Sequence, residues 1–155
     1  MAEQDILNSH RQWMEHALEL ADKAAQQNEV PVGAVVVHDG ELLGEGWNQM
    51  IATADPTAHA EMIALRAAAR RVGNYRLPGV SLYVTLEPCA MCAGAMVHAR
   101  IAQLVFAAEE PKAGVICSRE RFFDEPWLNH RVSWQGGLLA DDSRDRLQAF
   151  FRARR

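Results

Sequence analysis

The sequence predicts an α/β protein: a three-layer α-β-α sandwich built on a five-stranded mixed sheet. Three observations predict it. Segments with helical periodicity alternate with short β-branched runs along the 155 residues. An Asp-Gly turn joins the first two strands as a hairpin. The later strands are each set apart by a helical pattern, which implies helices on both faces of a largely parallel sheet.

The elements follow in order. Ser9 followed by Gln12 reads as a capping box, and Trp13, Ala17, Leu20, Ala21 and Ala24 form an apolar stripe. A first helix is therefore expected over residues 9–27. Residues 32–37 and 42–47 are the hairpin strands, connected by His38-Asp39-Gly40-Glu41. Asp55-Pro56 offers the next helix start, since proline is tolerated in a first turn. Met62, Ile63, Leu65, Ala69 and Val72 continue that helix as a mostly buried one. A strand over residues 81–86 precedes Pro88, which opens a helix running to Arg100. Residues 104–107 form another short strand. Residues 109–129 mix Pro, Gly and charges with Phe122, Phe123 and Trp127, the pattern of a functional loop holding a short helix. Residues 132–134 supply the last strand. Asp141, Asp142 and Ser143 are positioned to cap a final helix with Leu147, Phe150 and Phe151 on one face. No repeat, linker or low-complexity stretch intervenes, so residues 1–155 are expected to be one domain.

Hydrophobic residues at 49% and charged residues at 23% are ordinary for a soluble globular protein. A formal net charge of -4 argues against a protein that coats polyanions without specificity. A local basic patch is compatible with it, and Arg152, Arg154 and Arg155 close the sequence. Residues 1–9 lack the apolar core of a signal peptide, and no run approaches the ~20 apolar residues of a membrane span. Three cysteines do not make a disulfide framework, and two of them stand as Cys-x-x-Cys. A reduced, cytoplasmic protein without a membrane anchor is the expectation.

Cys89 and Cys92 follow Pro88 at a helix start, and at that spacing two side chains share a helix face. A helix N-terminus favours negative charge and so promotes thiolates. Alone, the pair leaves open metal ligation, a redox pair or two buried cysteines. His59 narrows the choice. Among the six histidines it alone is followed two places later by an acid, Glu61. One imidazole and two thiolates give three ligands and leave a fourth tetrahedral position for water, the arrangement of a catalytic zinc. The plainer alternatives are a satisfied core histidine and an acid that complements a helix dipole. Zinc lowers the pKa of its water, and Glu61, outside the ligand set, would carry the proton to a ring nitrogen of a substrate whose amine leaves as ammonia. Residues two apart on a regular helix point apart, so His59 and Glu61 meet only if the first turn is irregular or Glu61 reaches across.

These residues resemble the cytidine deaminase superfamily, whose H-x-E…P-C-x-x-C signature is matched by His59-Ala60-Glu61 and Pro88-Cys89-Ala90-Met91-Cys92. Within it, the chain is similar over nearly its whole length to the bacterial tRNA-specific adenosine deaminases. The matching segments include Val30-Pro31-Val32-Gly33-Ala34, Gly44-Glu45-Gly46-Trp47-Asn48, the run from Asp55 to Glu61, and Asn74-Tyr75-Arg76-Leu77. Residues 85–92, Asn129-His130-Arg131 and Phe150-Phe151-Arg152 extend the match. The resemblance implies a cytidine deaminase-like fold, one Zn2+ per subunit, and conversion of adenosine to inosine at the wobble position of a tRNA anticodon. It also implies a homodimer that acts on the anticodon stem-loop. By the same resemblance Asn48 would bond the flipped base, with Ala60 contributing its backbone N–H. Lys112, His130, Arg152 and Arg154 would be RNA contacts, and Phe150 and Phe151 would divide between core and substrate wall. Val115-Ile116-Cys117 departs from the family, where small residues and a further glycine follow the Lys-x-Gly, and the added bulk bears on how the RNA is seated.

Two rivals are compatible with the same motifs. A zinc deaminase of a free nucleobase or nucleoside, of guanine or cytosine type, would share the metal site. A non-catalytic zinc module would need a fourth protein ligand and no Glu61. Gly44-x-Gly46 is no dinucleotide fingerprint, because Gln49 stands where the third glycine belongs.

Overall fold

The computed structural model describes residues 2–154; Met1 and Arg155, the last arginine of the C-terminal basic cluster, lie outside the described residues. The elements are α1 (Glu3–Gln26), β1 (Gly33–His38), β2 (Glu41–Trp47), α2 (Met50–Thr53), α3 (Ala60–Val72), β3 (Ser81–Leu86), α4 (Ala90–Ala99), β4 (Gln103–Ala108), a 3-10 turn (Phe122–Asp124), β5 (Ser133–Gly136) and α5 (Ala140–Arg152). The five strands pair in the order β2-β1-β3-β4-β5. Alternation along the strands divides the core. Ala34, Val36, Leu82, Val84, Leu104 and Phe106 face α3 and α4. Val35, Val37, Tyr83, Val105 and Ala107 face the other way, onto α1. Successive strand side chains point to opposite faces, so this alternation produces the three expected layers, with α5 beside α1.

The sheet is mixed, as expected, but less parallel than the alternation suggested. β3–β4 and β4–β5 are parallel, whereas β1 is antiparallel to both β2 and β3. The reason is topological. The crossover through α3 keeps β3 in the direction of β2, and β1 lies between them, reversed by its hairpin.

Three element starts differ from the sequence expectation. Helix α1 begins at Glu3, six residues before Ser9, because nothing in its polar first turns stops it and Glu3 and Asp5 complement the N-terminal dipole. Ser9 is therefore inside the helix and caps nothing. Asp55-Pro56 does not start α3; the Asp55 carboxylate instead accepts the Thr57 N–H at 2.8 Å and the Thr57 hydroxyl at 2.7 Å, closing a turn. Helix α5 starts at Ala140 after Leu139 in the left-handed region at φ 57, so Asp141 and Asp142 lie in its first turn rather than capping it. Ser143 is buried and donates its hydroxyl to the Thr85 carbonyl at 2.6 Å, tying α5 to β3.

Glycines let helices sit directly on the strands. A Cβ at Gly46 would stand 2.6 Å from the Ala60 carbonyl oxygen and 2.9 Å from the Ala64 nitrogen. The first turn of α3 thus rests on β2 backbone, which fixes where the residues around Ala60 stand.

Candidate metal centre and substrate pocket

Helices α3 and α4 begin at the same end of the sheet, beyond the C-terminal end of β3. His59 is the residue before α3 and has extended backbone, φ -69 and ψ 152, while Glu61 lies in the first helical turn. Cys89 stands in the same relation to α4, at φ -82 and ψ 176, and Cys92 lies one turn on. The extended residue before each helix is the irregularity that the two-residue spacing of His59 and Glu61 requires. No side chain caps α4, whose N-terminal turn carries both cysteines, and the positive end of its dipole favours anionic sulfur there.

His59 Nδ1 lies 3.7 Å from Cys89 Sγ and 3.6 Å from Cys92 Sγ, and the three ligand atoms fall within 4.8 Å of one another. Zn–S bonds of about 2.3 Å and Zn–N bonds of about 2.0–2.1 Å at a tetrahedral angle give an N···S edge of about 3.6 Å. The donor set and its spacing fit one Zn2+. The contact between the two sulfurs drives their acidities apart. Cys92 donates to Cys89, whose pKa falls to about 4. The Cys92 thiol is pushed up by that shared bond and by burial. The bond to Cys89 raises His59. Glu61 is buried, and desolvation lifts its carboxyl to about 7, where it gains and loses a proton near neutrality.

A cavity of about 220 Å³ opens beside these groups, lined by Val30, Asn48, Met50, Glu61, Leu86 and Ala113 among others. That is below the roughly 300–1,000 Å³ of drug-sized ligand sites, so it suits one ring system with the rest of the ligand outside. Asn48 is buried at its edge. Its Oδ1 accepts the Ala60 N–H at 2.9 Å and its Nδ2 donates to the Val30 carbonyl at 3.1 Å. The Ala60 amide, expected to face a base, is thus already committed to Asn48.

Two buried carboxylates that sequence reasoning missed hold the pocket's sides. Glu29 accepts the N–H groups of Ile51 at 3.2 Å and Ala52 at 2.8 Å, so it caps α2 from a distance. Glu87 accepts from the backbone of Glu110, Ile116, Cys117 and Ser118 and from the Ser118 hydroxyl. Burial would raise Glu87, yet those bonds, the Cys117 amide foremost, hold it below the usual carboxylate range. Hydrogen bonds to a charged group contribute about 1.5–3 kcal/mol each, so the loop is firmly fastened. The only sequence signal for Glu87 was an acid at a strand end, two residues before a proposed ligand.

The other expected RNA contacts lie outside the pocket. Lys112 is exposed on the loop whose Glu110 and Ala113 line the cavity. His130 Nε2 meets the Ile101 carbonyl at 2.7 Å, beside the start of β4 and at the opposite end of the sheet. Phe150 is buried, while Phe151 beside it is half exposed and lines a surface hollow with Arg152. Arg154 stacks on Phe150 with its guanidinium 3.4 Å from the ring centre, and donates to the Asn28 side chain at 3.0 Å. The bulk of Val115-Ile116-Cys117 turns inward: Ile116 is fully buried in the α3–α4 core, and Val115 and Cys117 pack against it.

The fold and the His/Cys/Cys cluster define a zinc-dependent hydrolytic deaminase. Residues 7–108 match the cytidine and deoxycytidylate deaminase zinc-binding region. The tRNA-specific adenosine deaminase of Haemophilus influenzae is 54% identical over 143 residues, spanning 92% of this chain and 83% of that one. A solved structure from work on A-to-I editing by tRNA:A34 deaminases at the wobble position superposes with a TM-score of 0.85 at 43% identity, covering 88% of this chain and 99% of that one. A guanine deaminase from Nitrosomonas europaea shares the fold at a TM-score of 0.76 and 24% identity, over 90% of this chain and 83% of that one. The chain belongs to the tRNA-specific adenosine deaminase family.

Proposed function

We propose that this chain hydrolyses adenosine to inosine and ammonia at the wobble position of a tRNA anticodon. The observation that carries the reading is Glu61, buried beside His59, Cys89 and Cys92 at a pocket sized for one base. His59, Cys89 and Cys92 hold the zinc. When bound, the metal supplies Lewis acidity that activates a water for attack. Glu61, with a carboxyl near neutrality, takes the proton from that water and delivers it to a ring nitrogen of the purine. Asn48 steadies the peptide between His59 and Glu61, and its remaining amide hydrogen and lone pair are available to the substrate. Lys112, His130, Phe150 and Arg152 are proposed as the outlying RNA contacts. Residues 1–155 act as one domain, in the cytoplasm, where tRNA is.

A homodimer is part of the same proposal. Val72, Tyr75 and Trp127 are large apolar residues, each at least half exposed, and Tyr75 and Trp127 border hollows that share His98 of α4. Burying that face in a second copy accounts for it. Sedimentation velocity should give twice the monomer mass, and a strictly monomeric active enzyme would remove this part.

The substrate assay is direct. Purified protein is incubated with an anticodon stem-loop, free guanine, free cytosine and free adenosine. Inosine at the wobble position is expected; turnover of a free base alone would replace the reading with the nucleobase deaminase alternative. A zinc-replete Glu61→Gln protein with undiminished turnover would exclude Glu61 as the proton carrier.

A further inference from the structure

The carboxylate of Glu87 carries more donors than its position in the metal-binding segment explains. Its Oε2 accepts three consecutive backbone N–H groups, from Ile116 at 3.0 Å, Cys117 at 2.9 Å and Ser118 at 3.0 Å. Consecutive amides turned to one point form a nest, a concavity made for an anion. Here the anion comes from the chain itself. Oε1 accepts the Glu110 N–H at 3.0 Å and the Ser118 hydroxyl. Residues 110 and 118 bound one loop, so a single side chain grips both of its ends. Gly114, midway along it, has no room for a Cβ: an added carbon would overlap the Glu87 carboxyl and lie 2.7 Å from the Glu110 carbonyl oxygen.

The loop is also the pocket's outer wall. Glu110 and Ala113 line the cavity together with Leu86, Glu87 and Cys89, so the Glu87 side chain joins the loop to the pocket edge. The Val115 N–H bonds the Pro88 carbonyl at 3.1 Å, and buried Ile116 anchors the loop from beneath. Regular secondary structure contributes nothing over residues 109–121, so the wall's shape depends on these tethers.

We propose that Glu87 is a positioning residue that sets substrate affinity, by binding the nest at residues 116–118 and holding the Glu110–Ala113 wall against the base. This rests on the deaminase reading of the pocket. Glu87 touches no reacting atom in this scheme. It acts through the loop, so its loss shows in KM rather than in the chemical step.

Glu87→Gln tests it. A glutamine has one acceptor oxygen and one NH2, so part of the nest or the Glu110–Ser118 pair faces a donor and loses its partner. The expected variant keeps one zinc per chain and shows faster amide hydrogen exchange at residues 110–118, with the helices protected as before. KM for the anticodon stem-loop rises about tenfold or more, the scale of one lost charged hydrogen bond, while kcat stays within about threefold. Glu87→Asp, which keeps the charge, recovers part of the KM. Should Glu87→Gln fail to fold, Ser118→Ala removes one of the five donors and is expected to move the same exchange rates and KM in the same direction by a smaller factor. Unchanged loop exchange, or a fall in kcat alone, overturns the proposal. If the wild-type protein turns over a free base instead of the stem-loop, the substrate reading fails. The exchange measurement and the KM for that base still decide the role of Glu87.

Discussion

Asn48 Oδ1 accepts the backbone N–H of Ala60 at 2.9 Å, and Ala60 is the residue between His59 and Glu61. The end of β2 thereby fixes the peptide that separates the proposed metal ligand from the proposed proton carrier. Asn48→Ala leaves the buried Ala60 amide unpaired, a cost of about 1–3 kcal/mol, while the Val30 carbonyl keeps the Val32 N–H. Thermal unfolding should report that loss. Inosine formation should fall at least about tenfold, because placement errors near the reacting atoms are expensive.

Glu61→Gln removes the proton carrier while leaving the three ligand side chains in place. Zinc content by atomic absorption is expected to stay at one per chain. Turnover should drop by a factor of about 10² or more, the usual contribution of a general acid–base residue.

Only the folded chain brings the ligand atoms of His59, Cys89 and Cys92 within 4.8 Å of one another, so zinc would bind the folded state alone. A ligand bound only to the folded state adds about 4 kcal/mol when present at a thousandfold excess over its Kd. Chelation should therefore lower the melting temperature, and zinc added back should restore it. Cys92→Ala should lose both the metal and its stabilisation, and calorimetry with and without zinc separates the two forms.

Gly46→Ala places a carbon 2.6 Å from the Ala60 carbonyl oxygen and 2.8 Å from the Ile63 Cβ. Overpacking of this kind costs about 1–3 kcal/mol. The strain falls on the first turn of α3, so activity should fall by more than an equally destabilising core substitution causes. Comparison with a core variant such as Leu104→Ala, matched in melting temperature, checks it.

His10 Nδ1 lies 2.6 Å from the Tyr83 hydroxyl, and burial lowers the His10 pKa from 6.5. In the window below 6.5 the unfolded chain binds this proton more readily than the folded one. His10 therefore costs nothing above that value, and stability is lost as pH falls through the window. Between about pH 7.5 and about pH 5.5 the urea midpoint of the unsubstituted protein should fall relative to that of His10→Gln, a difference that cancels the opposite contribution of Glu61.

The hairpin at Asp39-Gly40, the strand at residues 81–86, and the motifs His59-x-Glu61 and Cys89-x-x-Cys92 were legible because their signals are local. Alternation, turn chemistry and ligand type are properties of a few neighbouring residues. The early start of α1 was missed because Ser9 and Gln12 fit a cap that the helix does not use. Asp55-Pro56 was misread because the Asp55 carboxylate spends itself on Thr57, a turn that competes with helix initiation.

By itself the sequence determined the order of the longer helices and strands and the residue types of the metal cluster. The buried face of α3 fell on Ala60, Ala64, Leu65 and Ala68, with the expected core residue Val72 exposed, and the short α2 gave no sequence signal. The tertiary structure alone decided that β1 runs antiparallel to β3, that extended His59 and Cys89 turn their side chains to one point, and that Asn48 takes the Ala60 amide. It alone revealed that Glu29 and Glu87 fasten the pocket's two sides. Those bonds join groups twelve to thirty-one residues apart, and their partners are mostly backbone amides, which every residue type presents alike. A sequence names the side chains that can accept such bonds; only the folded chain decides which amides are brought to them.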